Sequence, residues 1–270
     1  MRADSHGEAG HSASRSGIIV KSPEEIAIMK QAGQIVASTL ATLASKVKPG
    51  VTTGELDQIV VHEFSKKGAT PSFKGYRGYP ATLCVSVNDE VVHGIPGKRV
   101  LQEGDVVSLD LGSIYHGYQG DAAITVGVGR ISRQAQELID VTREALAVGI
   151  SAALVGSRLG DVSWAVQSFV EKRGFSVVRE YAGHGIGRAM HEEPQVPNFG
   201  QPGRGALLRE GLVLALEPMV NIGGWRTKTL DDGWTVCTLD GSLSAHFEHT
   251  VAIRSGGPEI LTSLDGMEIA

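Results

Sequence analysis

The feature that most limits how this chain can fold is that its pattern is written twice. Lys48–Gly68 (KPGVTTGELDQIVVHEFSKKG) aligns with Leu154–Gly174 (LVGSRLGDVSWAVQSFVEKRG) at an offset of 106 residues. Gly50 falls on Gly156, Gly54 on Gly160, Glu55 on Asp161 and Gly68 on Gly174. A helical pattern precedes each copy, over residues 22–47 and about 133–153. Strand-like segments follow in the same order. EGDVVSLDLG from Glu103 resembles EGLVLALEP from Glu210 at an offset of 107, and GDAAITV from Gly120 resembles FEHTVAI from Phe247. Four segments repeated in one order predict an internal duplication. The expected fold is α+β, with halves over about 22–130 and 131–262 related by a pseudo-twofold axis and sharing one core.

Local signals agree with that plan. Ser22-Pro23-Glu24-Glu25 reads as a helix start, with Ser22 as cap, Pro23 in the first turn and Glu25 completing a capping box. Ile26, Met29, Val36, Leu40 and Leu43 then form one apolar stripe that Pro49-Gly50 stops. A second helix is expected from near Thr52 to Gly68. Residues 1–17 are small and polar and read as a disordered tail, leaving 18–270 as a single domain.

Composition excludes several classes. The longest apolar run, Leu212–Leu216, is far short of the roughly 20 residues of a membrane span. No apolar segment near the start reads as a secretory signal, so a cytoplasmic protein is expected. The balance of 25 basic and 30 acidic residues contains no basic block, which argues against direct nucleic-acid binding. Cys84 and Cys237 are too few for a disulfide framework and read as small buried hydrophobes. His62-Glu63 lacks the second His of a zinc-protease helix, and there is no G-x-S-x-G elbow.

The duplication also pairs acids. It sets Asp110 opposite Glu217 and Asp121 opposite Glu248. Alternation along Val106–Leu111 puts Ser108 and Asp110 on one face and Val107, Leu109 and Leu111 on the other. Asp110 and Glu217 each read as the end of an apolar strand. Asp121 opens the next strand, after a turn at His116-Gly117. A single acid in a strand most often faces water, but four at matched places would meet at the axis. Buried there, they need protons or cations. Two divalent cations match four negative charges better than one. His184, between glycines in Gly183-His184-Gly185, offers a fifth ligand, and carboxylates with one imidazole suit manganese, iron(II) or cobalt.

HGIP (His93–Pro96), Asp110-x10-Asp121, GHGIGRAMHEEP (Gly183–Pro194), EPM (Glu217–Met219) and SLSAHFEHT (Ser242–Thr250) follow one another in the order seen in type I methionine aminopeptidases. The chain resembles that family from Ser22 to Thr262. The resemblance implies the pita-bread fold, two pseudo-symmetric halves around a dinuclear metal site. It implies Asp110 on one ion, His184 and Glu217 on the other, and Asp121 and Glu248 bridging the two. It makes Glu217 the proton acceptor, His93 the contact to the substrate amide and His191 the stabiliser of the developing oxyanion. Phe73, Tyr76, Tyr79, Cys84, Met190 and Trp234 match positions around the methionine side chain. Phe73 and Met190 stand where a Cys and an aromatic are common, and Ala215 where a Thr is frequent.

The activity so implied is removal of the initiator methionine when the second residue is small and the α-amine free. A metal-bound hydroxide would attack the peptide carbonyl. The implied partners are nascent polypeptide N-termini, met free or at the ribosome, and the implied state is a monomer. Two other readings stay open at this level. A proline-directed peptidase shares the five ligands but usually carries an added N-terminal domain. A non-catalytic relative would act as a binding protein, though such relatives tend to lose ligands.

Overall fold

A computed structural model describes residues 17–264. The chain opens with helices α1 (Pro23–Lys46) and α2 (Thr53–Lys67), followed by strands β1 (Thr70–Pro71), β2 (Cys84–Val87), β3 (Glu90–Val92), β4 (Val106–Tyr115) and β5 (Tyr118–Gly127). A second run begins with α3 (Arg133–Ala152), α4 (Leu159–Glu171), β6 (Ser176–Val177), β7 (Ala182–Gly185) and β8 (Glu192–Pro197). It ends with β9 (Val213–Leu216), β10 (Met219–Asn221), β11 (Thr227–Thr229), β12 (Val236–Thr238), β13 (Ser244–His246), β14 (Glu248–Ala252) and β15 (Glu259–Ile260). The tail expected over 1–17 lies, as far as residue 16, outside the described residues.

The helices start where side chains can satisfy their free N–H groups. Glu25 N–H donates to Ser22 Oγ while the Glu25 carboxylate accepts from Ser22 N–H, and Thr52 and Glu55 repeat the exchange. In the second half Asp161 accepts from Arg158 N–H at the start of α4. The loops below the helices repeat as well. Gly50 N–H donates to Leu101 O, and Gly156 N–H to Leu208 O. Gly54 N–H donates to Gly97 O, and Gly160 N–H to Arg204 O. Thr52 bridges Val100, and Arg158 bridges Leu207. The same backbone bonds recurring 106 or 107 residues apart make the duplication a property of the fold.

A nine-stranded sheet carries both halves in the order β1-β4-β5-β14-β9-β7-β8, with β2 also on β4 and β15 on β14. The pseudo-twofold passes between β5 and β14. Ala123 lies opposite Glu248, and the inverse pair, Asp121 and Thr250, is joined by two bonds. Leu109, Leu111 and Ile124 turn to the helix side, where they join Val36, Leu40, Leu43 and Phe64 in one core with Ile139, Leu146, Leu214 and Val251. Each such fully buried side chain contributes about 1.5–3 kcal/mol of burial.

One detail differs from the sequence reading. Strand β4 continues five residues past Asp110, because Gly112 through Tyr115 pair in register with β5 up to a tight turn. His116 (φ 47) and Gly117 (φ 78) both take left-handed backbone there, as a two-residue hairpin with native twist requires. The residues just before Glu248 form a separate strand. β13 pairs with β10 and β14 with β5 and β9, so the chain changes sheets at Phe247. Among the described residues no helix is long and apolar enough to cross a membrane.

Candidate metal centre

Register brings the acids to one face. Asp110 lies opposite Ala123, and Asp121 opposite Gly112, so both carboxylates leave the β4–β5 hairpin on the same side as diagonal neighbours. Glu248 flanks Ala123 from the other strand. His184 lies opposite Ala215, which lies opposite Thr250, and Glu217 follows β9 by one residue. Small Ala123 and Ala215 share this face with the acids, and the missing side chain of Gly112 leaves room for Phe73 and Ser72.

Ligand atoms of Asp121, His184 and Glu248 all lie within 4.8 Å of one another. His184 Nε2 is 4.0 Å from Asp121 Oδ2 and 3.6 Å from Glu217 Oε1. His184 Nδ1 is 2.9 Å from Gly185 O, which assigns the proton to Nδ1 and turns the Nε2 lone pair toward the acids. Asp110 Oδ1, Asp121 Oδ1 and Glu248 Oε1 are buried with no hydrogen-bond partner. Among the described residues none of the four acids pairs with a Lys or Arg.

Charge therefore accumulates without compensation from the protein. Burial raises the Asp121 carboxyl to about 7. Burial, and then Asp121, raise Asp110; burial and then the neighbouring acids raise Glu217 and Glu248. Burial lowers His184 and His93 to about 4, with His191 adding to both. Neutral imidazole beside carboxylates starved of positive charge is the donor set of a hard divalent cation. The residues fit such a group.

All thirteen residues singled out from the sequence line one cavity of about 180 Å³. Phe73, Tyr76, Tyr79, Cys84, Met190 and Trp234 are there with His93, His191 and the five acidic and imidazole ligand candidates. Tyr79 is held by its hydroxyl, which donates to Gly94 O at 2.9 Å and Leu83 O at 3.1 Å, and meets Trp234 edge-on at 5.1 Å. Tyr76 Oη is 2.9 Å from His191 Nδ1, with the two rings stacked at 5.4 Å. His93 takes a left-handed backbone (φ 62), strain of the kind that concentrates at functional sites, and packs edge-on against Tyr181.

The sequence reading overlooks Arg77, Val92, Tyr181, Ala182 and Met219 in the lining. Met219 stands inside the motif that flags Glu217, and Tyr181 two residues before the one that flags His184, which is the signal that could have found them. It also gives His246 no role, although that ring is 1% exposed beside the acids.

Comparison with known proteins agrees with this geometry. The description "Metallopeptidase family M24" matches residues 27–255. A methionine aminopeptidase of Clostridium perfringens is 57% identical, covering 91% of this chain and 98% of its own. Methionine aminopeptidase 1 of Bacillus subtilis is 53% identical, covering 91% and 99%. The crystal structure of a Thermotoga maritima methionine aminopeptidase superposes with a TM-score of 0.90 at 50% identity, over 92% of this chain and all of that one. A Pyrococcus furiosus prolidase shares the fold alone, with a TM-score of 0.73 at 22% identity over 91% of this chain and 65% of its own. The architecture is the pita-bread fold. The chain belongs to metallopeptidase family M24.

Proposed function

We propose that the protein is a metal-dependent aminopeptidase that removes the N-terminal methionine from peptides and nascent proteins whose second residue is small. The observation that carries this reading is one cavity with two ends. An apolar end of Phe73, Tyr79, Cys84 and Trp234 suits a flexible thioether, and it opens onto the carboxylate–imidazole cluster.

Asp121, His184, Glu217 and Glu248 would hold one cation, and Asp110 would hold a second that shares Asp121 and Glu248. The charge count of four acids supports two divalent ions, of manganese, iron(II) or cobalt type. When bound, such ions neutralise the acids, acidify water and polarise a carbonyl. The protein supplies the rest. Glu217, its proton affinity raised by burial, suits the role of proton acceptor. The Tyr76 hydroxyl occupies His191 Nδ1, leaving Nε2 for the developing oxyanion. His93, neutral and wedged between Tyr181 and Trp234, is placed to meet the substrate amide. Trp234 and Tyr79 exclude water from the methionine side chain.

We take residues 18–270 as one catalytic domain with halves of about 22–130 and 131–262, supported by the repeated loop bonds. A cytoplasmic monomer acting on nascent chains, free or at the ribosome, completes the reading. Hydrolysis of Met-Gly-Met beside Ala-Pro and other X-Pro peptides tests it, after chelation and titration with each metal. Methionine release restored by a divalent ion is expected, and preference for X-Pro would overturn it.

A further inference from the structure

The imidazole of His246 has no place in the ligand set, yet it is built into the site as firmly as any ligand. His246 ends β13, and its backbone is clamped by Thr125. His246 N–H donates to Thr125 Oγ1 at 2.9 Å, and Thr125 Oγ1 lies 2.7 Å from His246 O. Ser108 Oγ, 2.8 Å away, holds the Thr125 hydroxyl in turn. The ring is 1% exposed, and its Nε2 is buried with no hydrogen-bond partner. That atom faces two carboxylates, at 3.9 Å from Glu217 Oε2 and 4.0 Å from Glu248 Oε2.

These distances decide what the contact is for. Two water hydrogen bonds of about 2.8 Å at a near-tetrahedral angle span about 4.6 Å, so a bridging water would be strained between them. A direct N–H···O bond forms near about 2.9 Å, so a carboxylate shift of roughly 1 Å closes it. Glu217 is thus divided between two rings. Its Oε1 is 3.6 Å from His184 Nε2, and its Oε2 turns to His246. His184 presents a lone pair there, because its proton is on Nδ1. Facing the oxygens of two carboxylates that are ionised when a cation is held, His246 is complementary with its proton on Nε2.

We propose that His246 is a positioning residue. Its Nε2–H grips the Oε2 atoms of Glu217 and Glu248, fixing the orientation in which Glu217 Oε1 faces the cation and accepts the proton. The proposal rests on the metallopeptidase reading above. It adds a donor that sets the rotation of two ligands from outside the ligand set, and such partners shift metal affinity or activity by about 10–100-fold.

The test uses the full chain with His246→Gln, His246→Asn and His246→Leu. A Gln amide nitrogen reaches the position of Nε2, an Asn does not, and Leu carries no donor. Manganese affinity of chelator-treated protein is measured by calorimetry, beside kcat and KM for a Met-Ala peptide. Leu and Asn should weaken manganese binding by about 10–100-fold and lower kcat with KM nearly unchanged, whereas Gln should restore both to within roughly threefold. A Gln variant as impaired as Asn would overturn the proposal, since it would mean that the ring packs or ligates rather than donates. Wild-type behaviour of all three would overturn it equally. Should His246→Leu fail to fold, the Gln–Asn contrast decides alone. Failure of the wild type itself to bind manganese or release methionine would instead refute the metallopeptidase reading.

Discussion

Lys21 and Glu192 form an ion pair 2.6 Å long with side chains only 2% and 6% exposed, one residue beyond His191. Lys21 Nζ also donates to Ile19 O, and the second Glu192 oxygen accepts from Ala189 N–H. The pair ties the segment ahead of α1 to the loop that presents His191. Burial lowers the Lys21 pKa even with Glu192 beside it, so the pair carries a desolvation cost. Lys21→Met therefore strands a buried carboxylate and should cost about 3–5 kcal/mol in urea unfolding, while Lys21→Met with Glu192→Met should recover most of it. A single variant within 1 kcal/mol of wild type (about the value of a surface pair) would show the buried pair to be inert.

Metal loading should release protons, and more of them in acid. Asp121, raised to about 7 by burial, holds its proton at pH 6, and Asp110, Glu217 and Glu248 are raised in the same direction. A cation must displace those protons. His184, lowered to about 4, is already neutral and releases none. Manganese affinity should thus fall as pH drops below 7, and calorimetry in buffers of different ionisation enthalpy should find greater release near pH 6 than near pH 8. Equal release at both would contradict the protonated cluster.

The helices, their caps and the pairing of acids across the repeat were legible because each depends on local spacing: Glu25 three residues after Ser22, Asp121 beyond a two-residue turn. What escaped depends on contacts between distant segments. The break at Phe247, which takes His246 out of the strand of Glu248, is set by which strands β13 and β14 pair with. The approach of α1 to β5 is set by Gly120, where a Cβ would sit 2.6 Å from Gly33 N, and no periodicity marks that glycine. Lys21 looks like a surface residue in sequence, and only its partner 171 positions away explains its burial.

His93 touches none of the acids directly among the contacts seen, and is fixed by Tyr181 and Trp234 instead. His93→Ala should therefore keep metal content while lowering kcat by about 10²–10³-fold, the cost of losing one preorganised hydrogen-bonding group at the reacting carbonyl. Metal analysis beside steady-state kinetics on Met-Gly-Met checks both halves, and undiminished turnover would remove the residue from the chemistry.

Asp121 separates binding from stability. Its folded pKa of about 7 stands above the ordinary 3.8, so its share of stability is intact below pH 4 and is lost as pH rises toward 7. At about 1.4 kcal/mol per pH decade, that loss reaches on the order of 4 kcal/mol in the metal-free protein above pH 7. Asp121→Asn keeps the shape and removes the charge. The metal-free variant should accordingly melt above metal-free wild type at pH 8 and match it at pH 4. The same change strips an oxygen ligand from the Asp121–His184–Glu248 cluster, so manganese should bind at fewer sites and stabilise the variant less than wild type. Two tight sites by calorimetry would show that the Asp121 carboxylate is not a ligand, and a metal-free melting temperature unchanged at pH 8 would show that its buried charge is no burden.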